Sequence, residues 1–262
     1  MRTLRIYLAL FAQMLKVRLS YRGDFVADLF ATALGGLSSL LFVLLFFVPV
    51  KELGGWRRDE VLFVVGLSMM SYGIFATVSW NLFEFGDRYV IEGRFDRVLL
   101  RPISSLAQIL FDQFRIPVLS ETVIGAAVVA HAASSLGLVL TPLEWGFVAV
   151  TVLSGTAIYV FVFAILASVS FHFEDRIGVA PPVFNLIPLG RWPQDVFPWP
   201  IRWLLRFAIP FAFVAFHPAT ALLDRSRWAG YAVLAPAVAV AFGLLTVFFW
   251  RLGVRRYEST GS

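Results

Sequence analysis

Residues 61–83 read VLFVVGLSMMSYGIFATVSWNLF and contain no Asp, Glu, Lys or Arg. A bilayer core about 30 Å thick requires about 20 consecutive apolar residues in a helix that rises about 1.5 Å per residue. This stretch is long enough to cross the bilayer, and it predicts a transmembrane helix.

Four other charge-free stretches are equally long: 29–50, 122–143, 145–171 and 228–250. Two apolar stretches are weaker, because 177–190 is short and 207–223 is interrupted by proline. The 262 residues have a mean hydropathy of +0.80 and only 15% charged side chains, against about 25% in soluble domains. These values exclude an ordinary soluble enzyme and a disordered chain, and the lack of cysteine excludes a disulfide-stabilised scaffold.

The distribution of basic residues predicts the topology, because Lys and Arg are retained on the cytoplasmic side. With the N-terminus inside and six spans, 14 Lys and Arg lie inside and 8 outside. Both termini are therefore expected to be cytoplasmic. Two cytoplasmic termini require an even number of spans, so one of the two weaker apolar stretches must also cross the membrane. Polar residues directly before 177–190 favour that stretch as the fifth span.

The remaining segments complete the predicted fold, an all-α membrane protein with one domain over residues 1–262. Residues 1–22 carry polar side chains on one helical face, which predicts an interfacial helix in the membrane plane. Residues 191–227, which include 207–223, are expected to form a broken, re-entrant segment in the outer leaflet, because irregular backbone at that depth must lie against protein or water.

The loop at residues 84–102, EFGDRYVIEGRFDRVLLRP, holds four acidic and four basic side chains. Topology explains the arginines but not the equal number of carboxylates, and a lipid-binding loop would carry one sign of charge. Ile91, Phe95 and Leu99 are spaced as one helical face, which predicts an apolar ridge with a charged rim for a protein partner. A helix folded against its own chain is an equally open interpretation.

The second span carries several hydroxyl and amide groups, and it could line a water-filled or substrate path or bond to neighbouring helices. We favour the path slightly, with lining residues Ser68, Ser71, Tyr72, Thr77 and Asn81. Small residues recur at four-residue steps and predict close packing inside the bundle, at Ala31, Gly35 and Ser39 and at Ala126, Ala130 and Ser134.

Charged residues near the third span are predicted to lie at its boundary. Glu121 follows Pro117, and Asp112 and Arg115 are close enough in sequence to pair with each other. Placement at the boundary keeps the cost of these charges low, because the cost rises towards the bilayer centre.

Signatures of catalysis and cofactor binding are lacking in the sequence. The three histidines have no partner at metal-ligand spacing, and neither lysine follows the glycine pattern of a phosphate-binding loop. The basic residues lie at span ends rather than in one stripe, which argues against nucleic acid as a partner. We therefore predict no catalytic residue, no metal site and no cofactor in this chain.

Taken together, the entry helix, six spans, residues 91–102 (IEGRFDRVLLRP) and residues 197–223 (FPWPIRWLLRFAIPFAFVAFHPATALL) resemble a permease of the ABC type-2 exporters. The similarity is greatest to the short six-helix subfamily that includes viologen exporter permeases. It covers essentially the whole chain. Its most specific marks are Gly93, Asp96, residues 100–102, Ile209, Pro210, His217, Pro218 and Ala219.

The resemblance implies a half-transporter in a bacterial inner membrane that exports its substrate by alternating access. A separate ATPase subunit would bind ATP and magnesium and would dock on the inner loop, at Ile91, Glu92, Gly93, Arg94, Phe95, Asp96 and Leu99. A second permease, identical or paralogous, would complete the substrate path, and an outer gate would include Pro210, His217 and Pro218. The alternatives are a secondary transporter or channel driven by an ion gradient, and a membrane scaffold subunit without a path.

Overall fold

The computed structural model describes residues 22–172, 180–223 and 229–258. In these ranges the regular secondary structure is helical apart from one hairpin, β1 (Glu52–Leu53) with β2 (Trp56–Arg57). The helices are α1 (Arg22–Phe46), α2 (Arg58–Ser79), α3 (Phe95–Leu99), α4 (Ser105–Leu110), α5 (Leu119–Ser135), α6 (Pro142–Val169), α7 (Ala180–Phe184), α8 (Ile187–Gly190), α9 (Trp199–Trp203), α10 (Phe216–Leu222), α11 (Ala229–Ala232) and α12 (Ala235–Arg256). The expected interfacial helix lies outside the described residues, except for Arg22, where α1 begins.

Five helical segments are long and apolar enough to cross a membrane: Gly23–Phe46, Arg58–Ile91, Ile116–Ser135, Pro142–Val169 and Gly230–Arg256. They confirm the five long charge-free stretches of the sequence and an all-α membrane protein. A sixth candidate is a bent pair of segments, Trp199–Ala208 and Phe211–Leu222, which meet at 77°.

The centre of the bundle is α2, which packs against both α5 and α6 and is buried along most of its length. A helix that is apolar on all sides is expected at such a position. By contrast, α1 and α12 expose much of their apolar surface. The bundle therefore presents α1 and α12 to the bilayer or to a partner.

Glycine brings α2 and α5 into backbone contact. A Cβ atom added to Gly125 would lie 2.7 Å from the carbonyl oxygen of Gly66, and one added to Gly73 would overlap Thr122. Small residues permit such close approach of membrane helices. The expected contact faces were wrong, because the structure exposes Ala31, Gly35, Ala126, Ala130 and Ser134.

The predicted fifth span does not form a single helix. Over the described part of 177–190, the chain forms only the five-residue α7 and the four-residue α8. Proline is the physical reason, because it has no N–H to donate and clashes with the preceding turn; the prolines are Pro181, Pro182 and Pro188.

This broken segment nevertheless runs along the length of α2. The Phe184 ring lies 5.1 Å from the Phe83 ring beyond the C-terminal end of α2. At the opposite end, the Trp56 indole donates a hydrogen bond of 3.2 Å to the Asp195 carboxylate.

Both limbs of the bent pair approach the hairpin, and the turn between the limbs reaches deep between the helices. Phe211 at the turn packs 5.0 Å from Tyr159, and Val214 lies against Gly155 in the middle of α6. Gly155 is about 20 Å along α6 from its first residue at 1.5 Å per residue. In the second limb Phe216 packs 5.6 Å from Trp56 of the hairpin. We call this side of the bundle the hairpin end.

Candidate functional site

The charged loop, residues 84–102, follows α2 and turns back across the end of the bundle opposite the hairpin. Phe85–Ile91 form a π-helical stretch, and Gly93 then adopts a φ of +68°. Residues with a side chain rarely adopt this conformation, so glycine is required where the backbone changes direction into α3. The ends of α6 and α12 lie beside α3, and we call this side the loop end.

Phe95 anchors α3 to the bundle and is fully buried. Its ring packs against rings from four other parts of the chain, with centroid distances of 5.0 Å to Phe171, 4.9 Å to Tyr257, 5.8 Å to Phe85 and 6.4 Å to Trp250. The predicted exposed ridge of Ile91, Phe95 and Leu99 was therefore wrong at Phe95. The apolar face of α3 exists, but the chain itself covers its centre.

A second contact fixes the C-terminal end of α3. The Gln108 side-chain amide of α4 donates to the carbonyl oxygens of Val98 at 3.0 Å and of Ile103 at 3.1 Å. Gln108 is buried. No sequence pattern had marked this residue, because a lone glutamine has no signature until the carbonyl groups it bonds are known.

The outward surface of α3, which we call the α3 surface, combines apolar and charged side chains. Leu99 is 45% exposed and Leu100 is 84% exposed. Their neighbours Glu92, Arg94 and Arg97 are also exposed, while Ile91, Gly93 and Asp96 are half-buried. Some of the loop charges pair internally, since Arg94 contacts Glu92 at 2.8 Å and Arg88 contacts Glu84 at 3.1 Å.

Most of the expected path-lining side chains are buried inside the chain, namely Ser68, Ser71, Thr77 and Asn81. Each of these side chains makes a hydrogen-bond contact inside the chain. The Ser68 hydroxyl lies 3.3 Å from the Tyr159 hydroxyl, and the Asn81 amide donates to the carbonyl of Ile109 at 2.8 Å. Ser71 and Thr77 donate to carbonyls of their own helix. The prediction that these four residues line an open path was wrong within this chain, and the alternative of bonding to neighbouring helices holds for Ser68 and Asn81.

Tyr72, the fifth predicted path residue, is only half-buried. The Arg191 guanidinium lies over its ring, 5.0 Å from the centroid. Arg191 also donates to the Ser39 hydroxyl of α1 at 3.4 Å. A cation over an aromatic face is attracted by the ring quadrupole. Arg191 thus links the broken segment to α1 and α2 at once.

Charged side chains also join α1 to the rest of the bundle. Arg115 pairs with Asp28 of α1 at 3.2 Å and lies 4.4 Å from the Trp80 ring. The expected pairing of Asp112 with Arg115 was therefore wrong, and Asp112 instead accepts a hydrogen bond of 2.6 Å from the Tyr89 hydroxyl.

Glu121, near the start of α5, is buried against α1. A Cβ atom on Gly36 would lie 3.1 Å from its carboxylate. The absence of a side chain at Gly36 leaves the space that this carboxylate occupies. Glu121 is in the first turn of its helix, as expected for a charge near the boundary of a span.

The predicted gate residues lie in the bent pair. Pro210 is buried at its turn, and His217 and Pro218 are buried in α10. The His217 ring packs between aromatic rings, at 4.7 Å from Phe213 and 5.3 Å from Tyr231. The Phe213 contact lies within the second limb of the bent pair, and the Tyr231 contact holds this limb against α11.

Within the residues that the structure covers, no three His, Cys, Asp or Glu side chains are grouped closely enough to hold a metal ion. Several polar side chains of the bundle bond instead to groups elsewhere in the chain, as Ser68 does to Tyr159 and Asn81 to the carbonyl of Ile109.

Comparison with models of known protein families gives a match over most of the chain. A family model described as "ABC-2 family transporter protein" matches residues 34–261. No curated protein and no solved structure matches the chain.

Proposed function

Because the chain belongs to the ABC-2 transporter family, we propose that it is the membrane-spanning permease subunit of an ATP-driven exporter. Permeases of this family generally work with an ATPase subunit. In this proposal a separate subunit binds ATP and magnesium, and this chain contributes no catalytic residue. A second permease, identical or paralogous, completes the substrate path. The subfamily proposed is the short six-helix group that includes viologen exporters.

The observation that carries the proposal is the construction of the charged loop. Its outward face, the α3 surface, offers Leu99 and Leu100 within a charged rim, as expected for a protein interface. Its inward face is fastened to the bundle by Phe95 and Gln108. A partner that moves the α3 surface therefore moves the helices attached to it.

The contacts of Phe95 suggest how force is transmitted. When ATP closes the ATPase subunits, α3 is displaced, and Phe95 carries the displacement to Phe171 after α6 and to Trp250 on α12. Close-packed side chains transmit such a movement because interiors are nearly incompressible. The bundle then rearranges from an inward-open to an outward-open state, which is the alternating-access mechanism.

The same proposal assigns the other end of the bundle to the outer leaflet. The bent pair enters from the hairpin end and returns to it, with its turn beside Gly155 and Tyr159. We assign it as a re-entrant outer gate that includes Pro210, His217 and Pro218. Both termini are then cytoplasmic, in the inner membrane of a bacterium, in keeping with the excess of basic residues on that side.

Co-purification with the ATPase subunit tests the docking role. Leu100→Asp places a charge in the proposed interface and should abolish co-purification, while Val139→Asp is the matched control. Val139 is 92% exposed in the α5–α6 connection at the hairpin end, so its variant should bind normally. If the Leu100 variant binds as well as the wild type, the docking role of α3 is wrong.

Transport in vesicles separates this proposal from its rivals. Vesicles with the permeases and the ATPase subunit should export substrate when ATP is supplied. Transport by this chain alone, driven by an ion gradient, would indicate a secondary transporter or channel. A complex that binds ATPase but moves no substrate in any condition would indicate a scaffold subunit.

A further inference from the structure

An apolar groove opens between α1, α2 and α5 towards the hairpin end. It encloses about 430 Å³. Its walls are apolar except at the rim nearest the hairpin end, where Arg58 and His131 lie. The apolar lining residues are Leu37, Leu40, Leu44, Leu62, Ile124, Ala127 and Val128. The volume is within the range of small-molecule sites, about 300–1,000 Å³. A groove with this lining fits a hydrocarbon chain.

A second cavity of about 430 Å³ lies beside the hairpin and shares Arg58 with the groove. Its lining mixes charged and apolar side chains and comes from the chain around the end of α1, the hairpin, the start of α2 and the end of α5. The charged members are Lys51, Glu52, Arg57, Arg58 and Asp59. Charged side chains of both signs therefore surround this cavity.

Both cavities are lined by α2, by α5 and by α1 or the chain directly after it, and the polar cavity lies nearer the hairpin end. On α5, the groove is lined from Ile124 to His131 and the polar cavity begins at Ser135. Ile124 and Ser135 are about 16 Å apart along the helix at 1.5 Å per residue. The pair thus forms one amphipathic site, apolar towards the bilayer centre and charged towards its surface.

The polar cavity is lined by three cations and two carboxylates, and both arginines are already paired with a carboxylate. Arg58 contacts Asp59 at 3.0 Å, and Arg57 contacts Glu60 at 3.7 Å. A headgroup with only negative charge would approach the carboxylates of Glu52 and Asp59 as well as the cations. A headgroup with both charges can place its phosphate near Lys51 and Arg58 and its ammonium near Glu52.

We infer that this seam binds one bilayer phospholipid with a zwitterionic headgroup, its acyl chain between α1, α2 and α5 and its phosphate beside Arg58. Access is lateral, because Leu37 and Leu44 of the groove lining are themselves exposed at the surface of the bundle. The site requires only that the bundle is in a membrane, and it does not depend on the ATPase subunit. The lipid fills the gap between α1 and the rest of the bundle, against which α1 is otherwise weakly packed.

Native mass spectrometry of the purified full-length chain tests this site. The detergent-solubilised protein is equilibrated with an equimolar mixture of palmitoyl-oleoyl phosphatidylethanolamine and phosphatidylglycerol. The wild type should retain one phosphatidylethanolamine through collisional activation that removes the detergent. Ala127→Phe fills the groove and should reduce the retained fraction about tenfold, equivalent to ~1.4 kcal/mol. Ala126→Phe is the matched control, because Ala126 is equally exposed but does not line the groove, and this variant should retain the lipid.

A second variant tests the headgroup cavity without altering the packed groove. Lys51 is exposed, and Lys51→Glu should lower retention of phosphatidylethanolamine severalfold while the protein stays monodisperse. Equal retention by Ala127→Phe and the wild type would overturn the proposal. So would retention of phosphatidylglycerol alone, or displacement of the lipid by the exporter's substrate, which would make the seam part of the transport path. All of these outcomes concern lipid retention, so they are independent of the ATPase binding that the Leu100 variant tests.

Discussion

Replacement of Phe95 by alanine separates the structural anchor of the charged loop from its docking surface. Phe95 is fully buried and packs against four aromatic rings, whereas Leu100, the residue that follows α3, is 84% exposed. Phe95→Ala should therefore destabilise the fold, and Leu100→Ala should leave it intact. The two residues are only five positions apart, so the pair controls for the local environment.

The size of the effect follows from the buried area. An aromatic side chain buries about 150–250 Å², which at about 25 cal/mol per Å² corresponds to about 4–6 kcal/mol. Measured Phe→Ala changes in cores cost about 3–5 kcal/mol, including the cavity that remains. We expect Phe95→Ala to lower the free energy of unfolding by ~3–5 kcal/mol. Leu100→Ala should change it by less than ~0.5 kcal/mol, as for most surface substitutions.

Unfolding in mixed micelles, followed by circular dichroism during an SDS titration, measures both variants. Phe95→Leu is an added comparison, because it keeps an apolar side chain of similar size and should cost less than ~1.5 kcal/mol. ATPase binding by the folded fraction should be weakened by Leu100→Ala. Equal unfolding free energies for Phe95→Ala and the wild type would refute the anchoring of α3 and the route proposed for force.

Three further outcomes are expected. Gly125→Ala should lower the free energy of unfolding by ~1–3 kcal/mol, because its Cβ would meet backbone 2.7 Å away. Gly35→Ala is the control, because no atom lies within 4 Å of an added Cβ, and it should show no loss in the same SDS titration. Similar losses in both variants would contradict the glycine contact. A double-mutant cycle on Asp28 and Arg115 should give a coupling of about 1 kcal/mol or less, and the exchange Asp28→Arg with Arg115→Asp should restore part of the stability that either single variant loses. Burial, with the neighbouring Asp96 carboxylate, raises the pKa of Tyr257 to about 12. Because the unfolded phenol ionises near its ordinary pKa of about 10, the stabilisation by the neutral phenol should be complete below pH 10 and lost as pH rises to 12. Thermal unfolding of Tyr257→Phe should therefore show a smaller loss of stability between pH 10 and 12 than the wild type. An identical loss in both proteins would contradict the raised pKa of Tyr257.

The number and position of the main spans were predictable from local composition. A charge-free stretch such as 61–83 must lie in hydrocarbon as a helix, because unpaired backbone groups there cost several kcal/mol each. The excess of arginine in particular loops predicted an orientation on equally local grounds. The family resemblance in residues 91–102 agrees with the matching family model.

The candidate site was less predictable, because its residues depend on which surfaces meet. The spacing of Ile91, Phe95 and Leu99 indicated an apolar face on α3 but not that Phe171 and Trp250 cover its centre. The hydroxyl groups of α2 were consistent with a path or with internal bonds, and the position of the neighbouring helices resolved this. Similarly, the Asp28–Arg115 pair joins residues 87 positions apart, beyond the reach of any spacing rule.

Insertion into a bilayer is a property of each segment, since it depends on length, hydropathy and backbone hydrogen bonding within that segment. The amino-acid order alone therefore defined an all-α, multi-pass membrane protein. Burial, pairing and exposure are properties of two or more segments in contact, and lipid does not distinguish an apolar side chain that packs from one that faces the bilayer. For that reason the covered Phe95, the exposed Leu100 and the amphipathic seam under α1 became visible only in the folded bundle.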